Sequence, residues 1–264
     1  MLVRTWNVFH GNAVPPERHA FLAEAVRLAS ADEPAVLLLQ ELPVWSLEQL
    51  GTWSGMTAVG DVARRPMIGP IPSSAELGRA LTDVHHGVLR SAFTGQANAV
   101  VVSEALRVRE HRHLTLNPLS FRRRYHFGLK SQLAWAKERR GCAVVRVERA
   151  EGTFVVANLH ATGNVDRRLA DAELLRAATF VDGFADPDEP IVLGGDFNLT
   201  LQNSRVLPEL VGPVWGFEGA TPEGIDHILV RGPTATAPMR WPEERRRVGG
   251  RLLSDHAPVE RDVQ

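Results

Sequence analysis

The sequence predicts an α/β (α+β) fold in which β-sheets stack on one another and helices flank them. Many short apolar runs end in polar residues, whereas only two stretches carry a helical repeat, so the pattern is not a regular strand–helix alternation. The chain of 264 residues with 44% hydrophobic content is large enough to fill such a core as one unit spanning 1–264.

The elements follow in order. Leu2 to Val8 reads as a strand. Pro15-Pro16 opens a helix over roughly 16–30, proline being tolerated in a first turn, with Phe21, Leu22, Ala25, Val26 and Ala29 on one face. Ala35 to Leu39 is a strand buried on both faces that ends at Gln40-Glu41. Ala97–Ser103, Gly141–Glu148 and Thr153–His160 are further strands. Asn164 or Asp166 caps a second helix, with Leu169, Ala172 and Leu175 inward and a stop near Gly183. The strands Ile191–Leu193, Ile225–Val230 and Ala257–Val259 complete the set. Residues 61–96 and 231–250, rich in proline, glycine and arginine, read as long loops or irregular excursions.

Composition excludes several classes. No run approaches the ~18 apolar residues of a membrane span, and Met1 to Trp6 lacks the features of a secretory leader, so a cytoplasmic, monomeric protein without a membrane anchor or protein partner is expected. The single cysteine, Cys142, can form no internal disulfide and sits in a strand-like run, where it reads as a small core residue. No Gly-x-Ser-x-Gly stretch and no phosphate-cradling Gly-x-x-x-x-Gly-Lys occurs, which argues against a serine hydrolase and an NTPase. His85-His86 and His111-x-His113 could suggest zinc, but with no cysteine nearby and both pairs in polar contexts they do not read as a zinc site. Trp215 and Phe217 read as core anchors, and Arg245-Arg246-Arg247 as a solvated face before a phosphate contact.

The net charge of −1 conceals a basic segment. Residues 107–140 hold ten arginines and lysines against Glu110 and Glu138, with Phe121, Tyr125, Phe127 and Trp135 interleaved. That mixture suits a phosphate backbone with bases to stack on, and makes Arg122, Arg123, Arg124 and Tyr125 candidate substrate contacts. Lys130 and Lys137 are the only lysines, so the segment also reflects a chain that habitually uses arginine.

The apolar runs deliver a recurring set of chemical groups. Asn7, Glu41, His160, Asp196 with Asn198, Asp226 and Asp255-His256 each stand at the end of one. In "GGDFN" (194–198), two glycines free the backbone, and an extended chain would point Asp196 and Asn198 the same way with Phe197 turned into the packing. An acid beside an amide suits a water nucleophile at phosphorus; an Asx-rich turn is the bland alternative. Glu41 with an amide oxygen and another carboxylate would make an oxygen-rich site for Mg²⁺ or Mn²⁺, and a carboxylate would fix the tautomer of His256.

"TWNV" (5–8), "LLQEL" (38–42), "GQANAVVVS" (95–103), "RRGCAVVRV" (139–147), "VANLHAT" (156–162), "GGDFN", "GIDHILV" (224–230) and "LSDHAPV" (253–259) follow in order. Together they resemble the endonuclease/exonuclease/phosphatase superfamily of DNase I-like phosphodiesterases, over about residues 1–260. The resemblance implies a four-layer sandwich of two mixed, mainly antiparallel sheets flanked by helices. It implies that Asn7, Glu41 and Asp255 bind the divalent cation, that Asp196 activates water, and that Asn198 contacts the phosphate. His256 braced by Asp226, and His160, would act at the phosphate. The motifs that mark abasic-site endonucleases around "GDFN" are absent. A metal-dependent nuclease is therefore expected, with a phosphatase or phosphodiesterase on a phospholipid or small phosphorylated metabolite as the alternative.

Overall fold

The computed structural model describes residues 1–68, 71–89, 93–137, 139–163 and 166–264. Ten strands build the two main sheets: β1 (Leu2–Asn7), β2 (Val36–Leu42), β3 (Thr57–Arg64), β4 (Gln96–Val102), β5 (Arg107–Thr115), β6 (Gly141–Arg149), β7 (Gly152–His160), β8 (Ile191–Asp196), β9 (Asp226–Arg231) and β10 (Val259–Asp262). The first sheet runs β10-β1-β2-β4-β3, with the short strand Met239–Arg240 beside β10, and the second runs β9-β8-β7-β6-β5. Each is antiparallel apart from one parallel pair, β1 with β2 and β7 with β8.

The sheets pack face to face because their strands are apolar on both sides. Val36 and Leu38 of β2 meet Val145, Val156 and Ile228 between the sheets, whereas Leu37 and Leu39 point outward to the helix α1 (Leu22–Ser30). On the far side of the second sheet lies the helix α2 (Arg167–Asp182), contributing Ala170, Leu174, Ala177, Ala178 and Val181. The order is helix, sheet, sheet, helix, the four-layer sandwich that the sequence leads one to expect. Cys142 is fully buried, and burial pushes its thiol pKa well up, as befits a packing residue.

Several local expectations change. α1 begins only after Phe21, because the backbone before it is tied elsewhere: Phe21 N donates to Gly11 O at 2.7 Å, and Glu17 O and Arg18 O accept from Gly87 N and His86 N. The 61–96 excursion contains the second half of β3 and a helix at Ala75–Val84, capped by Ser74, whose hydroxyl accepts from Leu77 N. β5 has no apolar alternation to announce it: it is an edge strand whose charged residues face solvent and discourage further pairing. Asp166 caps α2, accepting from Arg168 N, while Asn164 lies outside the described residues, as does Glu138. Leu175 is 38% exposed rather than inward, since the inward stripe of α2 passes through Leu174 and Ala178 instead. Phe217 is core, with Trp215 packed against it. Arg246, read as part of a solvated face, is buried; its guanidinium donates to the carbonyls of Ser254 and His256, which offset the loss of water. Among the described residues, no helix is long and apolar enough to cross a membrane.

Candidate active site

The two parallel strand pairs end on the same side of the sandwich, and the polar strand ends gather there. Two devices at the ends of β2 and β8 set the geometry. The register of β2 against β4 slips between Leu39 and Leu42, and Glu41 within that bulge has φ +55°, so Gln40 turns between the sheets while Glu41 turns toward the site. At the end of β8, Gly195 has φ +133°, and a Cβ there would lie 1.9 Å from Leu159 O; only glycine fits. Asn198 adopts φ +53° instead of continuing the strand, so the simple extended alternation does not hold. Its backbone N–H donates to Asp196 Oδ1 at 3.0 Å and its amide to Ala161 O at 3.0 Å, and Phe197 is buried as the alternation requires.

Asp196 is the hub. It faces Asp226 in the β8–β9 register and His160 in the β7–β8 register. Asn7 Nδ2 donates to its Oδ2 at 2.9 Å, and that oxygen lies 3.5 Å from His160 Nε2 and 3.8 Å from His256 Nε2. Burial first, and then the charge of Asp226, raises the Asp196 pKa above the usual carboxylate range. Such a carboxylate is a better proton acceptor than a free one.

The two histidines differ in kind. His256 Nδ1 lies 2.9 Å and 3.1 Å from the two oxygens of Asp226. Burial disfavours its charged form, but the Asp226 hydrogen bond and the charges of Asp226, Asp196 and Asp255 outweigh it and raise the pKa to about 10. His256 is an imidazolium at neutral pH. His160 is buried, and both Gln96 Nε2 and Arg140 NH1 lie 3.0 Å from its Nδ1. Burial, then the Arg140 charge, holds its pKa well below the ordinary histidine value. Arg140 NH1 lies 3.0 Å from Nε2 as well, so the guanidinium spans both ring nitrogens, and Nε2 is 3.7 Å from Glu41 and 3.5 Å from Asp196.

Asn7, Glu41 and Asp255 can hold a divalent cation, and the surroundings of Glu41 bear on the fit. Burial raises the pKa of Glu41, and Asp255 adds to the shift, so the two acids share a space that a cation would favour. Asn7 Oδ1 accepts from Phe9 N at 3.0 Å and keeps a second lone pair. An all-oxygen set suits Mg²⁺ or Mn²⁺. Asp196, Asp226 and His256 also present ligand atoms within 4.8 Å of one another. The Nδ1 contact with Asp226 fixes the ring so that Nε2 faces Asp196, an arrangement suited to acid–base work.

Other residues lie in or around the site, none of them read from the sequence as part of it. Ser254 (φ +61°) donates its hydroxyl to Asn7 O at 2.7 Å and accepts from His256 N at 3.1 Å, tying β1 to the "SDH" turn. Trp6 Nε1 donates to His256 O. His10 Nε2 lies 3.5 Å from Glu41, and His86 Nε2 lies 2.7 Å from His10 O, which gives His86 a structural task. His111 and His113 pair with Asp61. Arg140 is visible in the sequence only as one more arginine; its place at the start of β6, level with His160, comes from the sheet register.

Eight of the candidates thus converge at one end of the sandwich: Asn7, Glu41, His160, Asp196, Asn198, Asp226, Asp255 and His256. The substrate-contact candidates make no contact with these eight among the described residues. Arg122 ends a helical turn at Leu119–Arg122, Arg123 and Arg124 are exposed, and the Tyr125 ring packs with Phe121, Phe127 and Trp135. That cluster is fastened to the site through Trp135, whose Nε1 donates to Glu173, which also accepts from Thr162 N and Oγ1.

The sequence pattern of the Endonuclease/Exonuclease/phosphatase family matches residues 5–256. No curated protein matches the chain. Among solved structures, a functionally unknown conserved protein from Enterococcus faecalis V583 superposes with a TM-score of 0.69 at 17% identity, covering 100% of this chain and 99% of that one. An endonuclease/exonuclease/phosphatase from Bacteroides vulgatus gives 0.68 at 15% identity, covering 100% and 98%. TDP2 from C. elegans gives 0.61 at 14% identity, covering 99% and 74%. At these identities the structural likeness establishes the fold.

Proposed function

The chain belongs to the endonuclease/exonuclease/phosphatase family, and from that premise we propose that it is a divalent-metal-dependent phosphodiesterase that cleaves nucleic acid by direct attack of water. The observation that carries the reading is the opposed pair at one strand end. Asp196 has its pKa raised and His256 is held as an imidazolium by Asp226, their nearest side-chain atoms 3.8 Å apart. A phosphate seated against this pair, with the attacking water on Asp196, would meet a base for that water and a cation for its non-bridging oxygen.

Asn7 and the backbone N–H of Asn198 orient the two oxygens of Asp196, leaving its remaining lone pairs for water. His160, kept neutral by burial and the Arg140 charge, sets its Nε2 3.5 Å from the Asp196 carboxylate without adding a second cation beside His256. Mg²⁺ or Mn²⁺, held by Asn7, Glu41 and Asp255, would neutralise charge on the phosphoryl and leaving oxygens. The basic, aromatic-bearing segment 107–140, which reaches the site through Arg140, favours a nucleic-acid strand over a small phosphorylated molecule.

A screen tests this directly. Plasmid DNA, single-stranded DNA, RNA, a phosphoinositide and bis(p-nitrophenyl) phosphate would each be offered with Mg²⁺ and with Mn²⁺, alongside Asp196→Asn. Hydrolysis of the small diester and of a nucleic acid, lost in the variant by orders of magnitude, is expected. Turnover of the phosphoinositide alone would replace the nucleic-acid reading with a lipid phosphatase, and equal activity in Asp196→Asn would remove Asp196 from the mechanism.

A further inference from the structure

A second cationic site opens beside the catalytic end, where the edge strands of the two sheets come together. The end of β3 and the segment leading into β6 wall a cleft of about 460 Å³ whose lining includes Arg64, Arg65, Met67, Thr115 and Arg139. Its position relative to the active site follows from the register. Arg64 pairs with Gln96 across β3 and β4, and Gln96 Nε2 lies 3.0 Å from His160. On the opposite wall, Arg139 immediately precedes Arg140, whose guanidinium lies 3.0 Å from the same imidazole. One residue separates each wall from a group that touches His160.

Among the described residues, none of Arg64, Arg65 and Arg139 forms an ion pair or side-chain hydrogen bond, although the chain pairs many of its other arginines with carboxylates. Arg139 also acts on a fourth: the pKa of Arg122 is lowered by burial and then by the Arg139 charge. Like charges gathered around a concave wall repel one another until an anion enters, and guanidinium forks match phosphate oxygens bidentately. Met67 and Ala136 add apolar surface against which a sugar or base can rest.

We propose that this cleft is a subsite for a second phosphate of the substrate, the neighbouring phosphate along a nucleic-acid strand whose scissile phosphodiester lies at Asp196 and His256. The inference rests on the nuclease reading and sharpens it: the enzyme selects substrates with a flanking phosphate over isolated diesters. The basic strand surface then begins at Arg64, Arg65 and Arg139 rather than only at the more distal Arg122–Arg124.

The test separates binding from chemistry. Arg64→Gln/Arg65→Gln/Arg139→Gln, with Arg139→Gln alone as a milder variant, would be compared with wild type on bis(p-nitrophenyl) phosphate and on a labelled single-stranded oligonucleotide. Affinity would be read separately by fluorescence anisotropy in an Asp196→Asn background, where no cleavage interferes. The triple variant is expected to weaken oligonucleotide binding about tenfold or more, with the single variant in between, as for lost charged hydrogen bonds. Its kcat/KM on the small diester should stay within about twofold of wild type, because one phosphate does not reach both sites. Unchanged oligonucleotide affinity in both variants would overturn the subsite while leaving a phosphodiesterase standing. Failure of wild type to hydrolyse both the small diester and the oligonucleotide would instead overturn the proposed function, with anisotropy still reporting on the cleft. If a soluble inositol polyphosphate bound more tightly than the oligonucleotide, and lost that advantage in the triple variant, the strand would be the wrong occupant.

Discussion

Asp226 holds both carboxylate oxygens within 3.1 Å of His256 Nδ1, across an interval of 30 residues that the fold closes by setting the start of β9 beside the turn before β10. One nitrogen faced by two acceptors must carry its proton, so the other nitrogen is left to face Asp196. The pairing makes His256 a fixed cation and a donor aimed at the place where phosphate charge builds.

Asp226→Asn should return His256 toward the ordinary histidine range. In wild type the ring is raised to about 10, so its NMR signals should not shift between about pH 6 and 8, whereas in the variant they should titrate near about 6.5. The linkage has a definite sign. A pKa raised on folding stabilises the fold fully below the unfolded value of about 6.5, and this contribution fades as pH rises toward the folded value of about 10. Wild type should therefore lose stability across that window and the variant should lose less. A variant ring still protonated at pH 8 would show that Asp226 is not the cause.

Glu41→Gln should separate metal affinity from folding. Burial raises the Glu41 pKa, so its charge is a burden on the metal-free fold, and the neutral amide should leave metal-free thermal stability unchanged or slightly higher. The stabilisation gained on adding Mg²⁺ or Mn²⁺ should shrink, and the metal concentration needed for half activity should rise about tenfold or more. Thermal shift with and without metal reads both effects. An equal metal-induced shift in wild type and variant would remove Glu41 from the ligand set.

Asn158 should be among the costliest polar residues to replace. From β7 its amide donates to Leu39 O at 2.9 Å and Ala99 O at 2.8 Å in the opposite sheet, and its Oδ1 accepts from Gln40 Nε2 at 2.7 Å. Gln40 in turn donates to Thr5 Oγ1, so one amide links three strands of the facing sheet directly behind the site. Asn158→Leu would strand a buried Gln40 donor, and should cost about 2–4 kcal/mol in urea unfolding with the fold retained. A loss below about 0.5 kcal/mol would mean the seam relaxes around the change.

Much of this was legible in the sequence because the catalytic groups occur where apolar runs stop. Asp196, Asp226 and His160 sit at strand ends, and strand ends can be read from hydrophobicity alone. What stayed hidden depends on register rather than pattern. Arg140 looks like any arginine until β6 pairs with β7, and Gln96 and Ser254 are ordinary polar residues until the sheets stack. β5 was hidden because an edge strand of this charge shows no alternation, and Arg246 because three adjacent arginines look like surface. The inward face of α2 was misplaced by one position because leucines lie on both sides of the helix, Leu174 toward the sheet and Leu175 toward solvent.

The distal basic surface makes the last prediction. Arg123 and Arg124 are exposed, and Arg122 lies partly buried next to the Arg139 charge, on a turn held by the packing of Phe121 and Tyr125 against Trp135. If these arginines grip a nucleic-acid backbone, each phosphate contact releases counterions, and the logarithm of the binding constant falls with the logarithm of salt by roughly 0.7–0.9 per contact. Arg122→Ala/Arg123→Ala/Arg124→Ala should flatten that slope by about two, weakening binding alike across sequences, while bis(p-nitrophenyl) phosphate turnover stays near wild type. The Tyr125 stack should survive, since its ring contacts are with Phe121, Phe127 and Trp135. Anisotropy against salt in Ca²⁺, chosen to support binding with little turnover, gives the slope directly. Identical slopes for wild type and the triple variant would mean that this stretch is arginine-rich only because the chain uses arginine in place of lysine.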